Sequence, residues 1–286
     1  MAANAIADVL AHSGAAELLA RLGAEAVAAE SITTLHLQGS PRFAYRVTLA
    51  DGRTVKLRRP SRPERAARAW ELLEAIGDAR FAMVILREGN LAVEEWIDGT
   101  PLDARPPRPE HVASAAAFLA ALHRVRIDGI DVGRVVATTA MRDATCSRLE
   151  GLRQYALLAG EEESRLSIAV RRLAPATARI GITHNDLCGE NLVVDTSGTL
   201  RVVDNEDVAP GFVDFDLART WYRWELEPTA WEHFLARYVT EGGTRPEPSV
   251  FEFWKIAAVA KSAVVRLAAS PPQREHALSR LRALAG

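Results

Sequence analysis

Between Ile182 and Ala218 the chain sets two short apolar, β-branched runs, Asn191 to Val194 and Leu200 to Val203, around Thr196-Ser197-Gly198-Thr199. Apolar runs joined by Ser-Gly read as a β-hairpin with a two-residue turn. With Ser197-Gly198 at the turn, outward pairing brings Asn191 directly opposite Asp204. Facing residues of an antiparallel pair lie about 4.5–5.5 Å apart at Cα. An amide oxygen and a carboxylate at that spacing can share one Mg²⁺, which takes oxygen ligands and keeps the rest of its shell for water and phosphate. Asp186 lies five residues before Asn191, in the loop entering the first strand. A carboxylate there can accept a proton from a hydroxyl aimed at a metal-bound phosphate. The pattern suits phosphoryl transfer, with Asp186 as base and Asn191 and Asp204 as catalytic metal ligands. An ordinary surface hairpin with polar ends is the plainer alternative. His184 and Phe215-Asp216-Leu217-Ala218 weigh against it, and both His184 and Asp216 are expected to brace the loop.

His184-Asn185-Asp186-Leu187-Cys188-Gly189-Glu190-Asn191 resembles the catalytic loop H-[GN]-D-x-x-x-x-N of the aminoglycoside phosphotransferase and choline/ethanolamine kinase superfamily. Val203-Asp204-Asn205-Glu206 is similar to its I-D-[WF]-E element, and Phe215-Asp216-Leu217-Ala218 to the D-[LI]-A that follows. The resemblance implies an α+β, bilobal protein-kinase-like fold. Residues 1–97 would form a nucleotide-binding lobe built on an antiparallel sheet with helices. Residues 98–286 would form a larger, mainly helical lobe for catalysis and substrate binding. ATP or GTP with Mg²⁺ would serve an O-phosphotransferase.

Composition narrows the partners. A 286-residue chain with 48% hydrophobic and 25% charged residues is large enough for two lobes. A net charge of −2 offers no electrostatic case for nucleic acid. Cys146 and Cys188 stand far apart without a C-x-x-C, which disfavours a disulfide frame or zinc site. Asp8 and Glu17 interrupt the apolar N-terminal stretch, so it does not read as a signal peptide. No apolar run approaches the roughly 18 residues that span a bilayer. A cytoplasmic location without membrane partners is expected; composition gives no oligomeric state.

Residues 3–22 read as one bent or two short helices. Ser31 to Leu37, Phe43 to Leu49 and Thr54 to Arg58 read as strands. Gly39-Ser40 at the first turn would lay backbone N–H groups over nucleotide phosphates. Lys56 and Arg58 point to the same side of a strand. Gly52 to Pro60 resembles the family's G-x-x-x-V-L-R-x-P, which implies that Arg58 holds phosphate. Lys56 stands where that pattern has an aliphatic residue, so the cation remains Arg58 or Lys56. Ser61-Arg62-Pro63-Glu64 reads as a capping box for a helix running to about Gly77. Climbing from Lys56 to the strand end covers about 10 Å, and an equal descent of the helix takes about seven residues. That favours Glu71 as the carboxylate supporting the cation, with Glu64 second if the cation is Arg58. Phe81 to Leu86 and Leu91 to Ile97 form a further hairpin. Glu94-Glu95-Trp96-Ile97-Asp98-Gly99-Thr100-Pro101-Leu102 resembles the family hinge, implying that backbone around Glu95 and Ile97 meets the nucleobase. Trp96 is assigned to hinge packing.

Beyond the Pro-rich Asp103–Glu110 linker, helical periodicity covers 109–125, 139–158 and 162–174, then resumes after the hairpin. His123 reads as a satisfied core histidine. Trp221, Trp224 and Glu225 belong to an aromatic and acidic stripe that is most simply core. Its functional alternative is a pocket for a cationic acceptor, since Trp faces attract ammonium groups. Only eleven residues separate Asp204 from Asp216 and no A-P-E follows, which favours a small molecule over a protein. An aminoglycoside-type antibiotic, hence resistance, is the leading acceptor, with a choline/ethanolamine-type kinase as alternative. A catalytically weak nucleotide-binding regulator is the rival from another class.

Overall fold

The computed structural model describes residues 2–32, 43–104, 107–126, 136–268 and 271–286. Its first elements are α1 (Ala2–Leu10), α2 (Ala15–Ala20), β1 (Ala26–Ser31), β2 (Ala44–Leu49), β3 (Thr54–Arg58) and α3 (Pro63–Ile76). They are followed by β4 (Val84–Glu88), β5 (Leu91–Glu95), β6 (Gly99–Pro101), α4 (Pro109–His123), β7 (Val136–Ala137), α5 (Thr139–Gln154) and α6 (Gly160–Leu173). Next come β8 (Thr177–Ala178), β9 (Ile180–Thr183), β10 (Leu192–Asp195), β11 (Leu200–Val202) and β12 (Ala209–Phe212). Four helices close the chain: α7 (Val213–Trp224), α8 (Pro228–Thr240), α9 (Pro248–Val265) and α10 (Pro271–Ala285).

Two units result. One comprises Met1–Pro101 together with Leu192–Asp207, and the other Leu102–Asn191 with Val208–Gly286. The division is thus not a single cut near residue 97, because the β10–β11 hairpin belongs with the N-terminal unit.

In that unit an antiparallel sheet runs β1-β2-β3-β5-β4. Alternation along β3 sorts its side chains. Val55 and Leu57 enter an apolar core with Val9, Leu18, Leu19, Val47, Leu49 and Val93. Lys56 and Arg58 consequently share the opposite face. α3 begins at Pro63, whose fixed φ suits a first helical turn. Its N-cap is Arg62 without a side-chain cap, so the Ser61–Glu64 capping box does not form. The helix ends as expected at Gly77, at φ 65°, whose N–H donates to Leu73 O.

The hairpin differs from its sequence reading by one residue. Leu192 pairs with Val202, Val193 with Arg201 and Val194 with Leu200. Its loop is the three residues Thr196–Gly198, closed by Asp195 N–H donating to Thr199 O at 3.0 Å. Asp195 Oδ1 also accepts the Ser197 and Thr199 N–H groups, each at 2.9 Å, an Asx arrangement that outcompetes a two-residue turn. Gly198 takes the left-handed position at φ 85°. The ladder stops at Leu192, Asn191 ends a 3-10 turn over Gly189–Asn191, and Asn191 does not pair with Asp204 along it. β10 also pairs with β6. Ala82 N–H donates to Val202 O, and Val202 N–H to Arg80 O. Gly99 is needed for the β6–β10 approach: a Cβ there would lie 2.2 Å from Val194 O.

In the second unit α9 is buried around most of its circumference, with Phe253, Trp254 and Ile256 among its core residues. It packs on α5, α6, α7 and α10, while α4 packs on α8. β9 pairs with β12 and delivers the chain into the loop after Thr183. Among the described residues no helix is long and apolar enough to cross a membrane.

The two glycines should rank in stability. Gly198→Ala meets no neighbour and should cost about 1 kcal/mol for its left-handed backbone. Gly99→Ala must push strands apart and should cost about 2–3 kcal/mol. Urea unfolding of both variants tests this, and a reversed order would contradict the β6–β10 pairing.

Candidate active site

In the second unit, the loop after β9 is organised by Asp216 on α7, which is fully buried. Its Oδ2 accepts His184 N–H at 2.8 Å and its Oδ1 accepts Asn185 N–H at 2.7 Å. His123 Nε2 lies 3.0 Å from Oδ2, and His123 Nδ1 lies 2.7 Å from the Tyr238 hydroxyl. Burial alone would raise the Asp216 carboxyl. Hydrogen bonding and charge from His123, with the charge and N–H of His184, hold it below the ordinary carboxylate range.

Asn185 then turns the chain at φ 65°, its side-chain amide donating to Thr183 Oγ1. This places Asp186, whose Oδ1 receives Arg219 Nη2 at 2.8 Å and Arg223 Nε at 3.1 Å. Arg219 Nε also donates to Asn185 O. Burial would lower the Arg223 pKa, but the Asp186 and Glu190 charges hold it above its usual value. Asn191 Nδ2 donates to Asp186 O at 2.9 Å, so the structure brings those two expected residues together. Burial, reinforced by Asp186, pushes the Cys188 thiol up to about 12, which removes it as a nucleophile. Arg219 and Arg223 were not singled out by their motif; their signal is that positions 216, 219 and 223 share one helical stripe.

In the first unit, Lys56, Arg58 and Asp204 come together with two carboxylates. Arg58 is 4% exposed. Its Nε donates to Glu94 Oε1 at 2.7 Å, and its Nη1 to Asp204 Oδ1 at 2.9 Å and Glu206 Oε2 at 3.0 Å. Lys56 Nζ lies 3.4 Å from Glu94 Oε2 and 3.9 Å from Asp204 Oδ1. Burial would lower the Arg58 pKa, yet Glu94, Asp204 and Glu206 together keep it above its usual value. Asp204 sits at φ 58°, and Asn205 Nδ2 donates to Val202 O at 3.1 Å beneath it.

Glu71 is not brought to these cations. Its side chain is 63% exposed and pairs with Arg87 at 3.6 Å, and Glu64 is exposed as well. A helix rise fixes height but not azimuth. Gly39 and Ser40 lie outside the described residues. Glu95 Oε2 bonds Arg201 Nη2 at 2.7 Å, and Glu95 N–H donates to Met83 O. Ile97 is half-buried between β5 and β6, and Trp96 packs under Arg46 with its Nε1 on Asp98.

The aromatic stripe is engaged by the protein's own groups. Lys255 Nζ and the Arg280 guanidinium sit 5.0 and 4.4 Å from the Trp221 ring centre. Trp224 packs edge-on against Phe234, and Glu225 pairs with His276.

Among the described residues no group of three or more His, Cys, Asp or Glu side chains is placed to hold a metal. The donor chemistry nevertheless fits Mg²⁺, which needs only one or two protein oxygens beside water and phosphate. In the second unit Asn191 has committed its amide nitrogen to Asp186 O, which orients its Oδ1 as an acceptor; in the first unit Asp204 separately offers a carboxylate beside Lys56 and Arg58.

The model of a family described as "Phosphotransferase enzyme family" matches residues 31–254. No curated protein sequence is significantly similar. The choline kinase LicA from Streptococcus pneumoniae has a similar structure, with TM-score 0.70, 17% identity and 94% and 96% of the two chains covered. The macrolide 2'-phosphotransferase MphH from Brachybacterium faecium gives TM-score 0.64 at 21% identity, covering 93% of this chain and 97% of its own. An aminoglycoside phosphotransferase from Alicyclobacillus acidocaldarius gives 0.56 at 19% identity, covering 89% and 88%. At such identities the likeness is one of fold, and the fold is protein-kinase-like.

Asp216→Asn should test the loop's anchor. One acceptor oxygen would replace two, costing about 2–3 kcal/mol at neutral pH. The wild-type carboxyl is depressed in the folded state, so its stabilisation is full above the unfolded value of about 3.9 and is lost as pH falls through the folded value. Denaturant unfolding from pH 7 to 3 should show the gap between the proteins narrowing; a constant gap would contradict the buried charge.

Proposed function

The chain belongs to the phosphotransferase enzyme family and is a small-molecule kinase, and we propose that it transfers the γ-phosphoryl of ATP or GTP to a hydroxyl of an aminoglycoside-type acceptor. The observation that supports this most is Asp186, fixed through its main chain by Asn191 and through its carboxylate by two arginines. Phosphoryl transfer has a loose transition state with little covalent work for the protein, so positioning carries most of the catalysis.

In this reading Asp186 orients the acceptor hydroxyl and takes its proton. Arg219 and Arg223 keep the carboxylate from turning away, and Asp216 holds the loop that carries it. Arg58, with Lys56, binds nucleotide phosphate. Backbone around Glu95 and Ile97 meets the nucleobase. Bound Mg²⁺ would neutralise charge on the phosphates, with Asn191 Oδ1 and the Asp204 carboxylate as its protein ligands.

The aminoglycoside-type acceptor is preferred to choline on one observation. A quaternary ammonium needs an open aromatic face, whereas Lys255 and Arg280 already sit over Trp221. Trp221, Trp224 and Glu225 are accordingly assigned to packing. A cytoplasmic enzyme of antibiotic resistance follows from that acceptor.

Nucleotide consumption with Mg²⁺ should be measured across aminoglycosides, macrolides, choline, ethanolamine and hydroxylated amino acids. Turnover should depend on an aminoglycoside and fall about 10²–10⁴-fold in Asp186→Ala, while nucleotide still raises that variant's melting temperature. Turnover by Asp186→Ala at the wild-type rate would remove the base assignment, and choline as the sole acceptor would reverse the preference. Asp204→Ala should abolish metal-dependent turnover; a variant as active as wild type would exclude Asp204 as a ligand.

A further inference from the structure

Two cations that grip a triphosphate must themselves be held still, and the helix expected to supply the carboxylate does not. The sheet does. Across the β3–β5 ladder Lys56 pairs with Glu94, and Arg58 with Ala92. Cross-strand partners share a face, so Glu94 stands with both cations on the side of the sheet away from the apolar core. It is 4% exposed, and its oxygens are divided: Oε1 takes Arg58 Nε and Oε2 faces Lys56 Nζ. We infer that Glu94 is the residue that positions the phosphate-binding cations, the duty expected of Glu71 or Glu64.

Two further observations support the role. Lys56 stands where the family pattern has an aliphatic residue, and the strand beside it answers that extra charge with a buried carboxylate. Arg58 is also committed in a specific way. Glu94 holds Nε, Asp204 and Glu206 hold Nη1, and Nη2 is buried with no hydrogen-bond partner among the described residues. An orphaned buried donor on a guanidinium is where an added acceptor gains most, and a phosphate oxygen is that acceptor. Because the pair lies within one ladder, its geometry is set by strand register and is independent of where α3 lies.

This role rests on the nucleotide-dependent phosphotransfer proposed above, and its test uses binding rather than turnover. Calorimetry would compare ATP or GTP, whichever wild type binds more tightly in Mg²⁺, with the matching nucleoside. Glu94→Gln should weaken the triphosphate about tenfold, the scale of losing an outer-shell partner, and leave the nucleoside within about twofold. A purely electrostatic account predicts the opposite, since deleting a carboxylate beside two cations favours a polyanion. Unchanged or tighter triphosphate binding by Glu94→Gln would therefore overturn the role. So would loss of triphosphate affinity in Glu71→Gln with none in Glu94→Gln. If Glu94→Gln does not fold, Glu94→Asp decides. It keeps the charge but cannot span both cations, so it should show a smaller loss confined to the triphosphate; wild-type affinities would reject the role. Wild-type protein that binds neither nucleotide would reject the phosphotransfer reading itself.

Discussion

A carboxylate removed completely from water is the constraint on which the second unit's chemistry hangs. Desolvating Asp216 is costly, on the order of several kcal/mol before compensation. The structure offsets that cost with two backbone N–H groups and a histidine that Tyr238 holds in turn. The same bonds that make Asp216 tolerable also fix the backbone of His184 and Asn185, so the next residue, Asp186, inherits a defined position. The geometry of this loop is a by-product of satisfying a buried charge. His123 is both a core histidine and part of that machinery.

The two units handle charge differently. Around Asp186, two arginines one helical turn apart converge on one carboxylate, each donating one N–H to its Oδ1. Around Arg58 the relation is inverted, with three carboxylates sharing one guanidinium. The Asp186 carboxylate is thus held by guanidinium groups, and the Arg58 guanidinium by carboxylates.

What could be read in the sequence was what is local. The nearness of Asp186 and Asn191 follows from their spacing, although Asn191 does not face Asp204 on the hairpin, and β3 sorts Lys56 and Arg58 to one face by alternation alone. Neighbours distant in sequence, and a turn with a stronger competitor, leave no such local mark. Ser197-Gly198 looks like a two-residue turn, but Asp195, just outside it, binds two N–H groups and moves the register by one. Glu71 satisfied a distance along a helix, whereas Glu94 becomes Lys56's neighbour only once β3 and β5 are known to pair across the intervening α3 and β4. Arg219 and Arg223 reach Asp186 through the helical stripe they share with Asp216, which no local motif marks. The Trp221 ring meets Lys255 of α9 and Arg280 of α10, neighbours that no local pattern shows.

The assignment of Leu192–Asp207 to the N-terminal unit has a consequence for how the chain is made. By the time residue 101 leaves the ribosome, β6 has no partner and Gly99 waits for a strand that lies some ninety residues ahead. Synthesis at roughly 5–20 residues per second makes that a wait of several seconds. During it the first unit lacks both its closing hairpin and Asp204 and Glu206, leaving Arg58 with Glu94 as the only one of its three acidic partners yet synthesised. Of the three carboxylates on Arg58, Glu94 is thus the one available as a counter-ion before the hairpin is made.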